Sequence, residues 1–243
     1  MQSGKPSLHT CLSPALLHLY DLQGCLVVII DVLRATSTIA TALHNGATAV
    51  MPVATVHRCI ELGKALGGIT AGERDGKVAE GLTYGNSPLE YPESFIGGRL
   101  LVLTTTNGTK LLHMALDSGA EEIITGAFVN LSAVCRYVQE QHRPVVLGCA
   151  AWKDRMNMED TLFAGAVIDR IFEHFHINCD ASHFARNLYR LAAPDLFQFM
   201  HENQASHYQR LMGYGLEKDI RYCLTPDQTD VLPIYRGEQL VRG

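Results

Sequence analysis

Two short polar stretches of this chain contain residue types that bind phosphate and other small anions. They are Arg34, Thr36 and Ser37 in the first stretch, and Thr105, Thr106, Asn107, Gly108 and Thr109 in the second. Each stretch follows an apolar, β-branched run and precedes an apolar segment with helical spacing, which predicts a strand, a turn and a helix in that order. Unpaired backbone N–H groups and the positive end of the helix dipole lie at such a helix start. We therefore expect the two turns to bind anionic groups of one small molecule.

The two stretches belong to longer segments that align without a gap. Leu26–Ala54 and Arg99–Ala127 each read as a strand, a polar turn, an apolar helix, a Gly-Ala stop and a second strand. Thr36 aligns with Thr109, and Gly46 with Gly119. The pattern predicts two similar β-α-β units. It fits an internal duplication, and it also fits the general likeness of β-α-β units.

Four acidic residues are candidate ligands of a metal ion: Asp31, Glu73, Glu159 and Asp160. Asp31 directly follows the first strand, and Glu159 and Asp160 open a later helix. Mg²⁺ prefers one or two carboxylates together with the phosphate of a substrate. The alternative is structural, because acids at a helix start also complement the helix dipole.

Two arginines adjoin these acids. Arg34 lies near Asp31 and Arg74 follows Glu73. A guanidinium offers a planar fork of donors that matches phosphate, sulfonate or carboxylate, although a salt bridge to the neighbouring acid is the simpler interpretation. We predict that the two arginines and the two acids beside them are catalytic, namely Asp31, Arg34, Glu73 and Arg74. Asn86 and Ser87, in a Gly-Asn-Ser-Pro segment, are further candidates for substrate binding.

Composition limits the classes of partner. The chain has 243 residues, 47% of them hydrophobic, and a formal net charge of -5. It has no basic run, which argues against nucleic-acid binding. The longest apolar run, Cys25–Ile30, is too short to cross a bilayer. Seven scattered cysteines without a CxxC pair indicate a reducing compartment, which we take to be the cytoplasm. The partner expected is a small anionic substrate, and apolar positions within Leu188–Met200 would permit a homodimer.

Strands and helices alternate along the chain, which predicts an α/β fold with a largely parallel or mixed sheet. We expect one domain over residues 1–243, with a subdivision near residues 128–145 as an alternative. Ligands of such sheets bind beyond the carboxyl ends of the strands, where all the polar turns should converge. The Gly-rich stretch Ile69–Pro92 reads as one long loop, which is either functional or disordered. A last strand is expected within Thr229–Tyr235.

Six segments together resemble the 2-phosphosulfolactate phosphatase family. They are VVIIDVLRATSTI, AGER, GNSPLE, TTTNGT, GCAAWKDRMNMEDTLFAG and SHYQRLMGYGLEKDIRYC. The resemblance implies a three-layer α/β/α sandwich and a Mg²⁺-dependent hydrolysis of (2R)-phospho-3-sulfolactate to sulfolactate and phosphate, in coenzyme M biosynthesis. A metal-bound water is a more natural nucleophile than Asp31, since the DxD pattern of aspartyl-phosphate phosphatases is absent. Two alternatives stay open: a non-hydrolytic binding protein for a small organophosphate, and an isomerase or lyase acting on a phosphorylated acid.

Overall fold

A computed structural model of the chain describes residues 4–74 and 76–243. Ten strands of the described residues form one sheet. The strands are β1 (Leu8–Cys11), β2 (Leu26–Ile30), β3 (Ala49–Pro52), β4 (Ile69–Arg74), β5 (Lys77–Val78), β6 (Leu100–Thr104), β7 (Glu122–Gly126), β8 (Val145–Cys149), β9 (Pro233–Arg236) and β10 (Gln239–Arg242).

Helices connect most of these strands. The helices are α1 (Ala35–His44), α2 (Val56–Leu66), α3 (Glu93–Ile96), α4 (Gly108–Asp117), α5 (Leu131–Glu140), α6 (Met158–Ile171), α7 (Asp180–Ala192), α8 (Leu196–Glu202), α9 (Ser206–Gly213) and α10 (Glu217–Leu224). Short 3-10 turns lie at Pro14–Leu19, Pro88–Glu90, Phe128–Asn130 and Phe172–His174.

The sheet consists of two parallel blocks joined by an antiparallel hairpin. Its strand order is β1-β8-β2-β7-β9-β10-β3-β6-β4-β5. The first block contains β1, β8, β2 and β7, and the second contains β3, β6 and β4. The pairs β7–β9, β9–β10 and β10–β3 are all antiparallel, so the two blocks run in opposite directions. The sheet is therefore mixed, which is one of the two forms that the sequence predicted.

The two predicted β-α-β units are present, and they exchange strands. In the first unit β2 leads through α1 to β3, and in the second β6 leads through α4 to β7. The first strand of each unit pairs with the last strand of the other, β2 with β7 and β3 with β6. Gly46 and Gly119 end the two helices with φ of 88° and 80°, a left-handed conformation that favours glycine. The two units thus form one intertwined body.

Apolar side chains from both faces of the sheet pack against helices. Leu26, Val28 and Ile30 of β2 share a core with α5 and α6, whereas Val27 and Ile29 share another with α4. This alternation follows from the two-residue period of a strand. The second block is likewise covered by α1 on one face and α2 on the other. The fold is the α/β/α sandwich that the family resemblance implied.

The interpretation of Ile69–Pro92 as one long loop was wrong. Its first part is β4, a strand that pairs with β6, and Lys77–Val78 pairs with it as β5. Asp75 lies outside the described residues. Glycine and polar residues hid the strand from the sequence pattern. Gly72 lies so close to Thr104 that a Cβ atom there would be 2.4 Å from the Thr104 carbonyl oxygen, which explains a glycine inside a strand.

The C-terminal strand expected within Thr229–Tyr235 is shifted and has a partner that the sequence did not predict. It is β9, Pro233–Arg236, and it forms a hairpin with β10. Among the described residues, no helix is both long enough and apolar enough to cross a bilayer.

Candidate active site

A cavity of about 280 Å³ opens where the loops that follow β2, β4, β6 and β8 meet α9. These loops meet at the cavity even though the strands of the two blocks run in opposite directions. Its lining residues are Asp31, Leu33, Arg34, Glu73, Gly76, Asn86, Thr106, Asn107, Trp152, Lys153, His207, Arg210, Leu211 and Tyr214.

Asp31 directly follows the buried strand β2 and is only 9% exposed. Burial, and then the charge of Glu73, raise the pKa of Asp31 to about 7, while His207 acts in the opposite direction. The start of α4 lies against this carboxylate: a Cβ atom on Gly108 would be 2.9 Å from Asp31 Oδ2. Glycine at this position therefore lets the backbone of the second polar turn approach Asp31.

Glu73 holds two loops at the cavity. Its Oε1 accepts a hydrogen bond from the Thr106 amide at 2.8 Å, and its Oε2 accepts one from the Gly76 amide at 2.9 Å. Glu73 thereby occupies one of the backbone amides that we expected to bind a substrate anion. It lies at the cavity as predicted, and it also shapes the turn before α4.

Arg34 lines the cavity and forms a buried ion pair with Asp219 of α10; the side chains are 6% and 7% exposed. Asp219 also accepts a hydrogen bond from Ser87 Oγ at 2.9 Å. The second nitrogen of the guanidinium donates to the Gly76 carbonyl at 3.3 Å. The partner of Arg34 is therefore Asp219, 185 residues away, and not the neighbouring Asp31.

Glu159 and Asp160 are buried behind the cavity and do not line it. Asp160 accepts hydrogen bonds from the Val32 amide at 2.9 Å and the Ala151 amide at 3.2 Å, so it joins the loops after β2 and β8. Burial raises its pKa well above the ordinary value, and the charge of Glu159 adds to that effect.

Glu159 orients a histidine that faces the cavity. Its Oε1 lies 2.6 Å from Nδ1 of His207, and its Oε2 is buried without a hydrogen-bond partner among the described residues.

These side chains are suited to a single cation held by one or two carboxylates, and not to a metal site with three or more protein ligands. Among residues 4–74 and 76–243, no three or more His, Cys, Asp or Glu side chains are grouped to hold a metal ion. Asp31 and Glu73 are the two predicted acids that line the cavity, and the charge of Glu73 contributes to the raised pKa of Asp31. One or two carboxylates are what Mg²⁺ takes from a protein when a substrate phosphate completes its shell. The residues present fit such a site around Asp31.

The predicted substrate-binding residues separate into three groups. Asn86, Thr106 and Asn107 line the cavity. The hydroxyls of Thr36, Ser37 and Ser87 are bonded to the Asp31 amide, the Val32 carbonyl and Asp219. A smaller apolar cleft beside the cavity contains Thr105, Gly108 and Thr109 together with Thr36.

Arg74 does not line the cavity. Its guanidinium donates to the Glu73 carbonyl at 2.6 Å and to Thr104 Oγ1 at 3.0 Å, where it supports the backbone of β4. A contact between Arg74 and a substrate stays a prediction.

Eight lining residues were not among the predicted site residues, and five of these have polar or aromatic side chains: Trp152, Lys153, His207, Arg210 and Tyr214. Three of them lie on α9 or just after it at positions i, i+3 and i+7, which share one face of a helix. This spacing was the available signal. The spacing alone could not identify these residues as part of the site, because the sequence does not show which face of α9 meets the cavity.

The fold and the site define an α/β protein with a pocket for a small anionic ligand, built from carboxylates, arginines and a glycine-containing helix start. Comparison with known proteins gives the family. A model of the family described as "2-phosphosulpholactate phosphatase" matches residues 11–238. The chain belongs to the 2-phosphosulfolactate phosphatase family.

Several relatives match over most of their length, and each has the name "Probable 2-phosphosulfolactate phosphatase". The protein of Caldanaerobacter subterraneus subsp. tengcongensis is 39% identical over 220 residues, with 88% of each chain covered. That of Thermotoga maritima is 40% identical over 206 residues, which cover 85% of this chain and 87% of the relative. That of Synechocystis sp. is 38% identical over 220 residues, which cover 88% of this chain and 89% of the relative.

Proposed function

We propose that this protein is a Mg²⁺-dependent phosphatase that hydrolyses 2-phosphosulfolactate to 3-sulfolactate and phosphate. The observation that carries the proposal is the position of Asp31 and Glu73 at one cavity with Arg34 and the start of α4. Family membership supplies the reaction, since the relatives are named for this substrate. The product would enter coenzyme M biosynthesis in an organism that makes this cofactor.

Asp31 and Glu73 would hold Mg²⁺, which stabilises negative charge on the phosphoryl group and on the leaving alkoxide when it is bound. Water attacks phosphorus and loses a proton, the bond between phosphorus and the C2 oxygen breaks, and that oxygen gains a proton, so that the products are sulfolactate and phosphate. Arg34, held in place by Asp219, offers its remaining N–H groups to the phosphoryl oxygens. Asn107 and Asn86 add neutral amide groups to the same cavity.

The test is phosphate release from 2-phosphosulfolactate, measured with Mg²⁺ and with EDTA. We expect activity with the metal and none after chelation. Asp31→Asn should lower kcat by at least about 100-fold, because removal of one electrostatic contact of this kind commonly costs 10²–10³ in rate. Asp117→Asn, an exposed aspartate on α4, is the matched control and should retain full activity.

Metal-independent hydrolysis would contradict the proposed cofactor. Wild-type activity in a folded Asp31→Asn protein would contradict the assignment of Asp31. A folded wild-type protein that releases no phosphate from any 2-phospho acid would contradict hydrolysis, and it would favour binding without turnover.

We also propose that the protein acts in the cytoplasm, because all seven cysteines are free and six are buried. A homodimer is compatible with the exposed Leu191, which is 73% exposed, although Leu196 and Met200 of the same stretch are buried. Light scattering on a size-exclusion column would give the mass of the particle, and a monomeric mass at micromolar concentration would contradict the dimer.

A further inference from the structure

Arg210 on α9 is a cation at the cavity that lacks a counterion among the described residues. Its Nη2 atom is buried and has no hydrogen-bond partner within residues 4–74 and 76–243. Its Cζ atom lies 3.8 Å from the centre of the Trp152 ring, so the guanidinium is stacked on the indole. An arginine keeps its charge at any physiological pH, and a buried N–H group without an acceptor is costly.

Of three other arginines that lie over an aromatic ring among the described residues, the two closest to their rings provide a comparison. Arg186 lies 3.5 Å from the ring centre of Phe172, and it is paired with Asp169 at 2.9 Å. Arg221 lies 3.7 Å from the ring centre of Phe197, and it is paired with Glu217. In both cases a carboxylate of the protein accepts from the guanidinium. Arg210, by contrast, lines the cavity and has no carboxylate partner among the described residues.

The indole under Arg210 is held by a tight turn. Trp152 and Arg155 exchange two backbone hydrogen bonds of 2.9 and 3.0 Å around Lys153 and Asp154. Both central residues have positive φ, 50° and 60°, as a type I′ turn requires, although neither is glycine.

Other elements fix this strained turn. Ser13 Oγ donates to the Asp154 carbonyl at 2.8 Å, and Lys110 forms an ion pair with the Asp154 carboxylate at 2.7 Å. Backbone strain of this kind persists where the surrounding structure imposes it, and it is concentrated at functional sites. The turn therefore fixes the surface on which the guanidinium of Arg210 rests.

We propose that Arg210 binds a second anionic group of the substrate, a carboxylate or sulfonate separate from the phosphate, and so determines specificity for phosphorylated acids. This inference rests on the proposed function for the position of the phosphoryl group at Asp31 and Glu73. Arg34 is already neutralised by Asp219, so of the two arginines among the described lining residues Arg210 is the one left to pair with a further anionic group of the substrate. The planar fork of Arg210 matches a carboxylate or sulfonate oxygen pair.

The first test compares wild type and Arg210→Met on four phosphate esters. They are 2-phosphosulfolactate, 2-phospholactate, which lacks the sulfonate, 2-phosphooxypropanesulfonate, which lacks the carboxylate, and glycerol 2-phosphate, which lacks both. We expect Arg210→Met to raise KM for 2-phosphosulfolactate about 10- to 100-fold, the range of a charged hydrogen bond, and to leave glycerol 2-phosphate unchanged. The analogue on which the substitution has no effect identifies the group that Arg210 binds.

Two controls separate recognition from structural damage. Arg221→Met removes a stacked arginine outside the cavity and should leave all four KM values unchanged. Arg210→Lys keeps the charge without the planar fork and should give an intermediate KM. An equal loss of kcat/KM on all four esters, or no loss on any, would overturn the proposal.

A binding experiment separates this proposal from the proposed hydrolysis. Calorimetry with 3-sulfolactate, which contains both acid groups and no phosphate, requires no turnover. Binding by a wild-type protein that hydrolyses nothing, with a loss of at least about 10-fold in Arg210→Met, would support recognition while rejecting the phosphatase activity. Equal affinity in the two proteins, or no binding by either one, would overturn the assignment of Arg210.

Discussion

At the scale of single residues, this site is dominated by buried charges whose partners lie far away in sequence. Asp31 is crowded by Glu73 and Glu159, while Arg34 is neutralised by Asp219. Substitution of one such residue should lower the free energy of unfolding strongly, because a buried charge without its partner is strongly destabilising. This effect can be measured separately from the effect on activity.

Removal of Arg34 should affect stability and activity through different routes. Arg34→Met leaves Asp219 buried and unpaired, and we expect the free energy of unfolding to fall by about 3–5 kcal/mol. The double variant Arg34→Met/Asp219→Asn removes both charges, so it should regain most of that stability and remain inactive. Denaturant titration and phosphate release would measure the two effects.

The exposed pair Arg58–Glu61 provides the control, with side chains 53% and 56% exposed. Arg58→Met should cost less than about 1 kcal/mol. A double variant as active as wild type would show that Arg34 serves only to pair with Asp219.

The raised pKa of Asp31 predicts how the stability of the metal-free protein changes with pH. The folded protein binds the Asp31 proton with a pKa of about 7, against an ordinary value of 3.8. Between these values the folded state binds more protons than the unfolded state, so the free energy of unfolding should fall as pH rises from about 4 to 7. Asp160, whose pKa is also raised, contributes in the same direction.

Urea unfolding in EDTA at several pH values measures this slope. Asp31→Asn should flatten it without abolishing it, since Asp160 remains, and Asp117→Asn should leave it unchanged. An identical slope in wild type and Asp31→Asn would mean that Asp31 titrates normally.

At the scale of elements, helix α6 shows how tightly the helical layer is packed. A Cβ atom on Gly165 would lie 2.1 Å from the Ala185 carbonyl oxygen of α7 and 2.8 Å from Cβ of Tyr189. The two backbones therefore touch at this glycine. Because Glu159 and Asp160 lie in the first turn of α6, this packing also helps to set the position of both acids behind the cavity.

Gly165→Ala should consequently lower the free energy of unfolding by about 1–3 kcal/mol or more, since the added methyl group must displace backbone. Gly213→Ala, in α9, meets no atom within 4 Å and should be neutral or stabilising by up to about 1 kcal/mol. Thermal or urea unfolding of the two variants checks the contrast. Equal stabilities would show that α7 moves freely away from α6.

At the scale of the whole molecule, the β9–β10 hairpin joins the two blocks of the sheet. Ile234 of β9 pairs with Ile124 of the first block, and Leu240 of β10 pairs with Val50 of the second. Leu240 is 1% exposed and belongs to the core of the second block. The C-terminal end of the described chain thus closes a sheet whose other strands precede residue 150.

Leu240→Ala should lower the free energy of unfolding by about 2–5 kcal/mol, the usual cost of truncating a buried leucine. Leu191→Ala, at a position that is 73% exposed, should change it by less than about 0.5 kcal/mol. Urea titrations followed by circular dichroism provide both values. A neutral Leu240→Ala would mean that the hairpin contributes little to joining the blocks.

The sequence by itself determined the local elements and the polar turns. Strands β2 and β6, helices α1 and α4, and the glycine stops at Gly46 and Gly119 follow from patterns within a few residues, which reflect local backbone preferences. The family segments likewise depend on the order of residues alone. The strand at Ile69–Arg74 was missed because its local pattern was ambiguous and it contains a glycine. The reason for that glycine is a contact with another strand, which the sequence does not show.

Only the tertiary structure decided which charges meet. Arg34 pairs with Asp219, and Val32 donates to Asp160 across 128 positions of sequence. Trp152 and Arg210 likewise come together from a turn after β8 and a helix of the C-terminal part. No local pattern contains this information, because such pairs form when the exchanged strands and packed helices bring distant loops to one cavity. The residue types that bind anions were visible in the sequence, and the folded chain selected which of them face the ligand.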